Sequence, residues 1–306
     1  MRYALAFLLL MTGAQAECLT PTPPQRDIIA DSYYDDPPVY SHIDPVKHAA
    51  YEAAVKPLET YLRTVAKLAS TGQKECTLRW LVAWAEGDAM LGTIEKQQAH
   101  YERKWLLSGL ALSYAKVRDA ASRDQRAAID TWLQALADGV RSHSDAHKGV
   151  RNNHYYWEGL AVAATGAVTD NATDIAWGTK VFQNAMADIA DDGTLPLELK
   201  RGGRALHYHL FSAAPLVMLE SVLYVTSPKL DKLVAFCSAG LKDPEWVAKQ
   251  AGVAQLGVLD DDASWRVVYR RHHPTATAET ASRAPYVNRL GGDLSQPNPL
   301  EHPLAP

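Results

Sequence analysis

From Pro45 onward, apolar residues recur at three- and four-residue spacing, and short polar or glycine breaks separate the runs. That spacing places one stripe on one helix face, so each run predicts an amphipathic or buried α-helix. "YEAAVKPLETYLRTVAKLAS" is such a run, ended by Thr71-Gly72, and "ECTLRWLVAWAEGDAML" follows it. "YERKWLLSGLALSYAKVRDAAS" and "QRAAIDTWLQALADGVRSH" come next. Beyond residue 170 the pattern returns in "DIAWGTKVFQNAMADIA", "HYHLFSAAPLVMLESVLYV" and "KLVAFCSAGL". Strand-like alternation is scarce. Antiparallel helix pairs with short connections predict an all-α bundle or toroid, and no strict repeat marks a consensus solenoid. One domain is expected over residues 17–306. Within it, 17–44 read as an irregular Pro-, Tyr- and Asp-rich arm or lid, and 294–306 as a proline-rich tail with little order.

Before residue 17 the pattern differs. Met1-Arg2 leads into an apolar run from Leu5 to Met11, followed by small residues at Ala14 and Ala16. This predicts a signal peptide over 1–16 and a periplasmic or secreted product without a membrane anchor. In an oxidising compartment, two of the three cysteines, Cys18 and Cys76, are placed to tether the arm to the first helical pair. Cys237, in "LVAFCSAG", reads as a buried free thiol.

Composition changes the picture little: 47% hydrophobic, 22% charged, net charge −4. Such a balance offers no general attraction to nucleic acid or anionic lipid. A polyanionic ligand would have to be held by a local basic patch. Eight tryptophans and fourteen tyrosines against four phenylalanines suit a cleft that stacks on flat polar ligands, and equally suit rings at core edges.

Two short stretches break the helical pattern. "RNNHYYWEGL" sets Asn153 and His154 side by side with Trp157 one turn on, although short amides compete with helix hydrogen bonds. A helix N-terminal turn would present Asn153 and His154 to one cavity. In "LELKRGGRALHYHLF", Arg201, Arg204 and Tyr208 fall on one helical face with His207 beside them. Gly202 and Gly203 weaken the helix there, so the arginines belong to its start or the preceding loop. An arginine beside a tyrosine is expected to depress the phenol pKa and hold an anion nearby. Each stretch alone is also compatible with a solvated face or a satisfied turn.

Together, "NNHYYW" and "RGGRALHYH" resemble the paired signatures of the alginate lyases of polysaccharide lyase family 5. In that family Asn-Asn-His-Ser-Tyr-Trp precedes an Arg-x-x-x-x-Leu-x-Tyr-His-like element. The stretch Cys76–Leu91, "YERKW" (Tyr101–Trp105), "WRVVY" (Trp265–Tyr269) and "NRLGG" (Asn288–Gly292) also have counterparts there. The resemblance implies an incomplete α/α toroid with a deep cleft. It also implies cleavage of a 4-linked polyuronate by β-elimination, polymannuronate favoured, by a monomer needing neither metal nor cofactor. A carbon–oxygen lyase of this kind removes the C5 proton and expels O4. Because that proton is hardly acidic beside a carboxylate, the carboxylate must be neutralised as the proton leaves.

Asn153 and Arg201, helped by His154, fit that neutralising role. Tyr208 fits acid or base, and His154 is the alternative base. Trp157, Tyr101, Arg204, His207, Tyr34, Arg289, Trp265 and Tyr269 are the expected substrate contacts. The family's Ser-Lys-Tyr lid motif appears here as Ser32-Tyr33-Tyr34, so a cation is replaced by Tyr33. A broader range that includes polyglucuronate or hyaluronan is the alternative. A non-catalytic binder of acidic polysaccharide is a further one. A zinc hydrolase drawing on His207, His209, His272 and His273 lacks any His-Glu-x-x-His helix.

Overall fold

The structure is a computed structural model, and it describes residues 18–36, 42–147, 151–258, 260–274 and 285–301. The expected signal peptide lies outside these residues. The predicted helices form: α1 (Pro45–Ser70), α2 (Lys74–Glu86), α3 (Gln97–Ala115), α4 (Arg123–Ala146), α5 (Asn153–Thr169) and α6 (Ala172–Asp188). They continue with the single turn α7 (Pro196–Leu199), then α8 (Ala205–Leu223), α9 (Pro228–Lys242), α10 (Pro244–Ala251) and α11 (Arg266–His272). A two-residue hairpin, β1 (Tyr286–Val287) with β2 (Gly292–Asp293), is the only sheet among the described residues.

The fold is an α/α toroid. Helices α3, α5 and α8 are buried nearly all round, whereas α4 buries only the stripe Ile129, Trp132, Leu133, Leu136, Ala137 and Val140. Apolar all-round helices need neighbours on every side. α5 meets that need by packing on α3, α4, α6 and α8. Its approach to α6 is close because Gly178 has no side chain. A Cβ there would sit 2.4 Å from the Ala163 Cβ.

Caps fix the starts. The Ser122 side chain and Gln125 form a capping box on α4, and the Asp44 carboxylate accepts from Val46 and Lys47 at the start of α1.

The arm has no regular structure over 18–33 but is pinned along its length. Trp80 and Trp84 donate their indole N–H groups to the carbonyls of Leu19 and Thr22. Met90 and Gly92 donate backbone N–H groups to Gln25 and Arg26. Cys18 and Cys76 form a disulfide, with a Cα–Cα distance of 5.3 Å. Cys237 is a buried free thiol. The bridge closes a loop of 58 residues in sequence. A loop of that length restricts the unfolded chain, so reduction should cost about 2–4 kcal/mol. Thermal melts with and without reductant check this. An unchanged midpoint would mean that the arm holds without its tether.

Residues 294–301 of the expected tail depart from expectation, and 302–306 lie outside the described residues. Asn298 and Glu301 are buried: Asn298 donates from Nδ2 to the Leu112 carbonyl at 2.8 Å, and Arg271 donates from Nε to Glu301 at 3.0 Å. Leu294 joins the core and Leu300 packs against it, so residues 294–301 are docked by isolated apolar and polar side chains, which leave no periodic signal in the sequence.

Candidate active site

The first turn of α5 and the turn before α8 face the same cleft, which has a volume of about 1080 Å³. The Asn-Asn pair divides its work there. Asn152 is the N-cap, its side-chain oxygen accepting from the His154 N–H at 3.0 Å. Asn153 begins the helix fully buried, and both its backbone N–H and its Nδ2 donate to Glu198 Oε1, at 2.7 and 2.9 Å. A carboxylate only accepts when ionised, so Glu198 fixes which end of the amide faces it. The Asn153 Oδ1 has no hydrogen-bond partner.

Glu198, on α7 and fully buried, also accepts from Arg201 Nε at 3.4 Å. Burial pushes its carboxyl above the usual range, opposed by the Asn153 and Arg201 donors. One carboxylate thus orients both the amide and the guanidinium. Gly202 follows Arg201 at φ +57, a left-handed conformation that glycine adopts without penalty. The turn it permits, Gly202–Arg204, swings Arg201 and Arg204 toward Tyr208. Their guanidinium carbons lie 4.7 and 5.6 Å from the Tyr208 ring centroid.

The expected depression of the phenol pKa is overturned. Burial pushes Tyr208 up to about 12, Tyr34 adds to this, and Arg204 and Arg201 only partly oppose it. His154 moves the other way. Burial, then the charges of Lys104, Arg201 and Arg289, push its imidazole well below the ordinary range. Its ring stacks on Tyr101 at 3.5 Å and 11°, and its Nδ1 has no hydrogen-bond partner.

Of the other expected contacts, Tyr101, Arg204, His207, Tyr34 and Arg289 line the cleft. The Arg204 Nη1 donates to the Tyr34 hydroxyl at 2.9 Å, His207 stands 3.4 Å from Asp262, and the Arg289 guanidinium lies 4.1 Å from the Trp105 ring centroid. Tyr33 lines it too, within an aromatic wall with Tyr34, His48 and Tyr51.

Three expectations are corrected. Trp157 is 2% exposed, with its indole N–H donated to the Phe211 carbonyl at 3.1 Å, so it presents no ring face to a sugar. Trp265 is 1% exposed. Both indoles line a neighbouring cavity of about 330 Å³ that shares Trp105, Phe211, Asp262 and Arg289 with the cleft. Tyr269 is buried away from the cleft and donates its hydroxyl to Asp231 at 2.6 Å.

Sequence reasoning missed Glu198, whose one visible trace was its i, i+3 spacing from Arg201. The histidines weighed as zinc ligands are otherwise engaged. His209 is held between the Leu195 N–H and the Ala205 carbonyl, His272 contacts Ser221 and Glu301, and His273 pairs with Glu220. Among the described residues no group of three or more His, Cys, Asp or Glu side chains is placed to hold a metal. No described helix is long and apolar enough to cross a membrane.

The cleft's charge opposes that of the whole chain. Six cations line it (Arg151, Lys180, Lys200, Arg201, Arg204, Arg289) against three acids (Asp145, Glu158, Asp262). A local cationic excess with low-dielectric walls concentrates anions even on a protein of net charge −4.

A family model described as alginate lyase matches residues 29–246. A polysaccharide lyase of Stenotrophomonas maltophilia is 40% identical over 94% of this chain and 92% of its own. An alginate lyase of Azotobacter vinelandii is 33% identical over 74% of this chain, which spans 66% of that protein. Among solved structures, alginate lyase A1-III from Sphingomonas species A1 superposes with a TM-score of 0.74 at 23% identity, over 90% of this chain and 84% of that one. A variant of A1-III complexed with a tetrasaccharide gives a TM-score of 0.77 at 22% identity, over 90% and 83%.

Proposed function

The chain belongs to the alginate lyase family, and from that premise we propose that it cleaves 4-linked polyuronates, polymannuronate foremost, by β-elimination. One observation carries this reading. Asn153, His154, Arg201 and Tyr208 converge on one cation-rich cleft, with two of them held by the single carboxylate of Glu198.

In the elimination the C5–H and C4–O4 bonds break and a C4=C5 double bond forms. Asn153 and Arg201 hydrogen-bond the carboxylate of the reacting uronate, so that charge spreads into it as the proton leaves. Burial keeps the Tyr208 phenol protonated near neutral pH, which supports its role as the acid that protonates the departing O4. His154, held neutral, supports the role of acceptor for the C5 proton. On mannuronate the C5 proton and O4 lie on the same side, which also allows Tyr208 to serve both steps, taking the C5 proton as phenolate and returning it to O4 as phenol. A rate that climbs steadily through the alkaline range would transfer proton abstraction to Tyr208.

Tyr33, Tyr34 and Tyr51 favour a second reading, a broader polyuronate range. Stacking and neutral hydrogen bonds tolerate epimers that a cation in their place would sort more strictly. His207, between Tyr208 and Asp262, is the residue we assign to discrimination among uronates. The Cys18–Cys76 bridge supports an exported, periplasmic or secreted product, since such bridges persist in oxidising compartments. A monomer acting on an anionic polysaccharide completes the reading.

The test is ultraviolet absorbance of the unsaturated uronate, measured on polymannuronate, polyguluronate, polyglucuronate and hyaluronan with EDTA present. Fastest release from polymannuronate, unaffected by EDTA, is expected. No double bond from any polymer, with binding retained, would make the protein a polysaccharide binder. A loss restored by zinc would bring back a metal mechanism.

A further inference from the structure

Two charges beside His154, Lys104 buried behind the cleft and Glu158 at its wall, have no part in the elimination scheme. Lys104, on α3, is 1% exposed and donates from Nζ to Glu158 Oε1, on α5, at 3.0 Å. The same Nζ lies 4.3 Å from the centroid of the Tyr101 ring, which is the ring stacked on His154. Lys104 is one helical turn from Tyr101, and Glu158 is one turn from His154. Removing such a pair from water is costly, and well-packed apolar residues of similar volume are often as stable or more so. One turn further along each helix the neighbours are buried and apolar, Leu107 on α3 and Ala161 and Val162 on α5, while His100, Arg103 and His143 stand on the other side.

We propose that Lys104 and Glu158 form a positioning device for His154: the ammonium, 4.3 Å from the centre of the Tyr101 ring that stacks on the imidazole, adds to burial in opposing positive charge there, and the carboxylate sets how strongly it does so.

Other charged and titratable groups surround the ring. Arg201 and Glu198 come from the segment before α8, Tyr208 and His207 from α8, and Arg289 from the turn between β1 and β2. His143 of α4 also feels both Lys104 and Glu158. Lys104, Arg201 and Arg289 all oppose a proton on His154, but they differ in what a substrate does to them. Arg201 and Arg289 stand in the cleft wall, where a bound uronate carboxylate offsets their charge. Lys104 is buried and does not line the cleft, so it keeps its effect when the cleft is full. It therefore acts at the moment when a second anion, the substrate, would otherwise draw a proton onto the imidazole.

This rests on the reading that His154 works unprotonated, so the test separates the two claims. The His154 imidazole is titrated by NMR in the full chain, and kcat/KM on polymannuronate is followed against pH. Lys104→Met should raise the His154 midpoint by at least about one pH unit. Glu158→Gln, which leaves the ammonium uncompensated, should lower it. The double variant Lys104→Met/Glu158→Met leaves no unpaired buried charge; it guards against misfolding and should also raise the midpoint.

The acid limb of kcat/KM should follow the midpoint in each variant. Midpoints that stay at the wild-type value in Lys104→Met and in the double variant would overturn the proposal, whatever the loss of activity. So would shifts in the same direction for Lys104→Met and Glu158→Gln. Midpoints that move as expected while the acid limb stays fixed would support the device and remove His154 as the base.

Discussion

Tyr208→Phe is expected to lower turnover on polymannuronate by about 10³-fold, the scale of losing a positioned acid in the transition state. Binding of an oligouronate should stay within about twofold of wild type, because only the hydroxyl is removed. The ring keeps its place against Arg201, Arg204 and His207, at 4.7, 5.6 and 5.2 Å. The expected signature is a fall in kcat with little change in the oligosaccharide Kd, read by stopped assays and calorimetry. Retention of a tenth or more of wild-type turnover would deprive the phenol of any proton-transfer role. A large loss of binding would instead mean that the hydroxyl mainly holds the substrate.

Glu198→Ala should have the next largest effect, on two axes at once. The substitution leaves two buried donors of Asn153 unpaired and frees Arg201 from its anchor. Removing one partner of a buried charged network costs about 3–5 kcal/mol, which a thermal melt detects directly. Losing the aim of the amide and the guanidinium should reduce kcat/KM by about 100-fold, the scale seen when one oxyanion donor is removed. Glu198→Gln separates the axes. Its carbonyl oxygen can still accept from Asn153, but it carries no charge for Arg201 and should fall between Ala and wild type. Wild-type activity and stability in Glu198→Ala would show that Asn153 and Arg201 are positioned by other contacts.

How much of this was legible in the sequence follows from what each feature requires. α1, α2 and α4 each present an apolar stripe to a neighbour, and such stripes are written at three- and four-residue spacing. The start of α5 was legible for the opposite reason, because Asn153 and His154 suit an N-terminal turn and a site better than a helix interior, whereas the capping by Asn152 is seen only in the structure.

Glu198 was not legible. A glutamate three residues before an arginine reads as a surface ion pair, and only the tertiary fold sets it beneath α5. Lys104 hid in the same way, since a lysine in a helix ordinarily marks the solvated face. Trp157, Trp265 and Tyr269 went wrong because an amphipathic ring serves a cleft or a core edge equally well, and burial alone separates the two. The phenol of Tyr208 was misjudged because the two arginines are visible in sequence, whereas the burial that outweighs them is not.

The central claim is that Asn153, His154, Arg201 and Tyr208 carry out an elimination on a polyuronate. Degradation of polymannuronate in ¹⁸O-labelled water, with the products analysed by mass spectrometry and NMR, tests it most directly. The account predicts chain ends with a C4=C5 double bond and no label incorporated at cleavage. Saturated non-reducing ends, with one ¹⁸O taken up per bond cut at C1 of the new reducing end, would mean that water, not the C5 proton, is the reacting partner, and would contradict it.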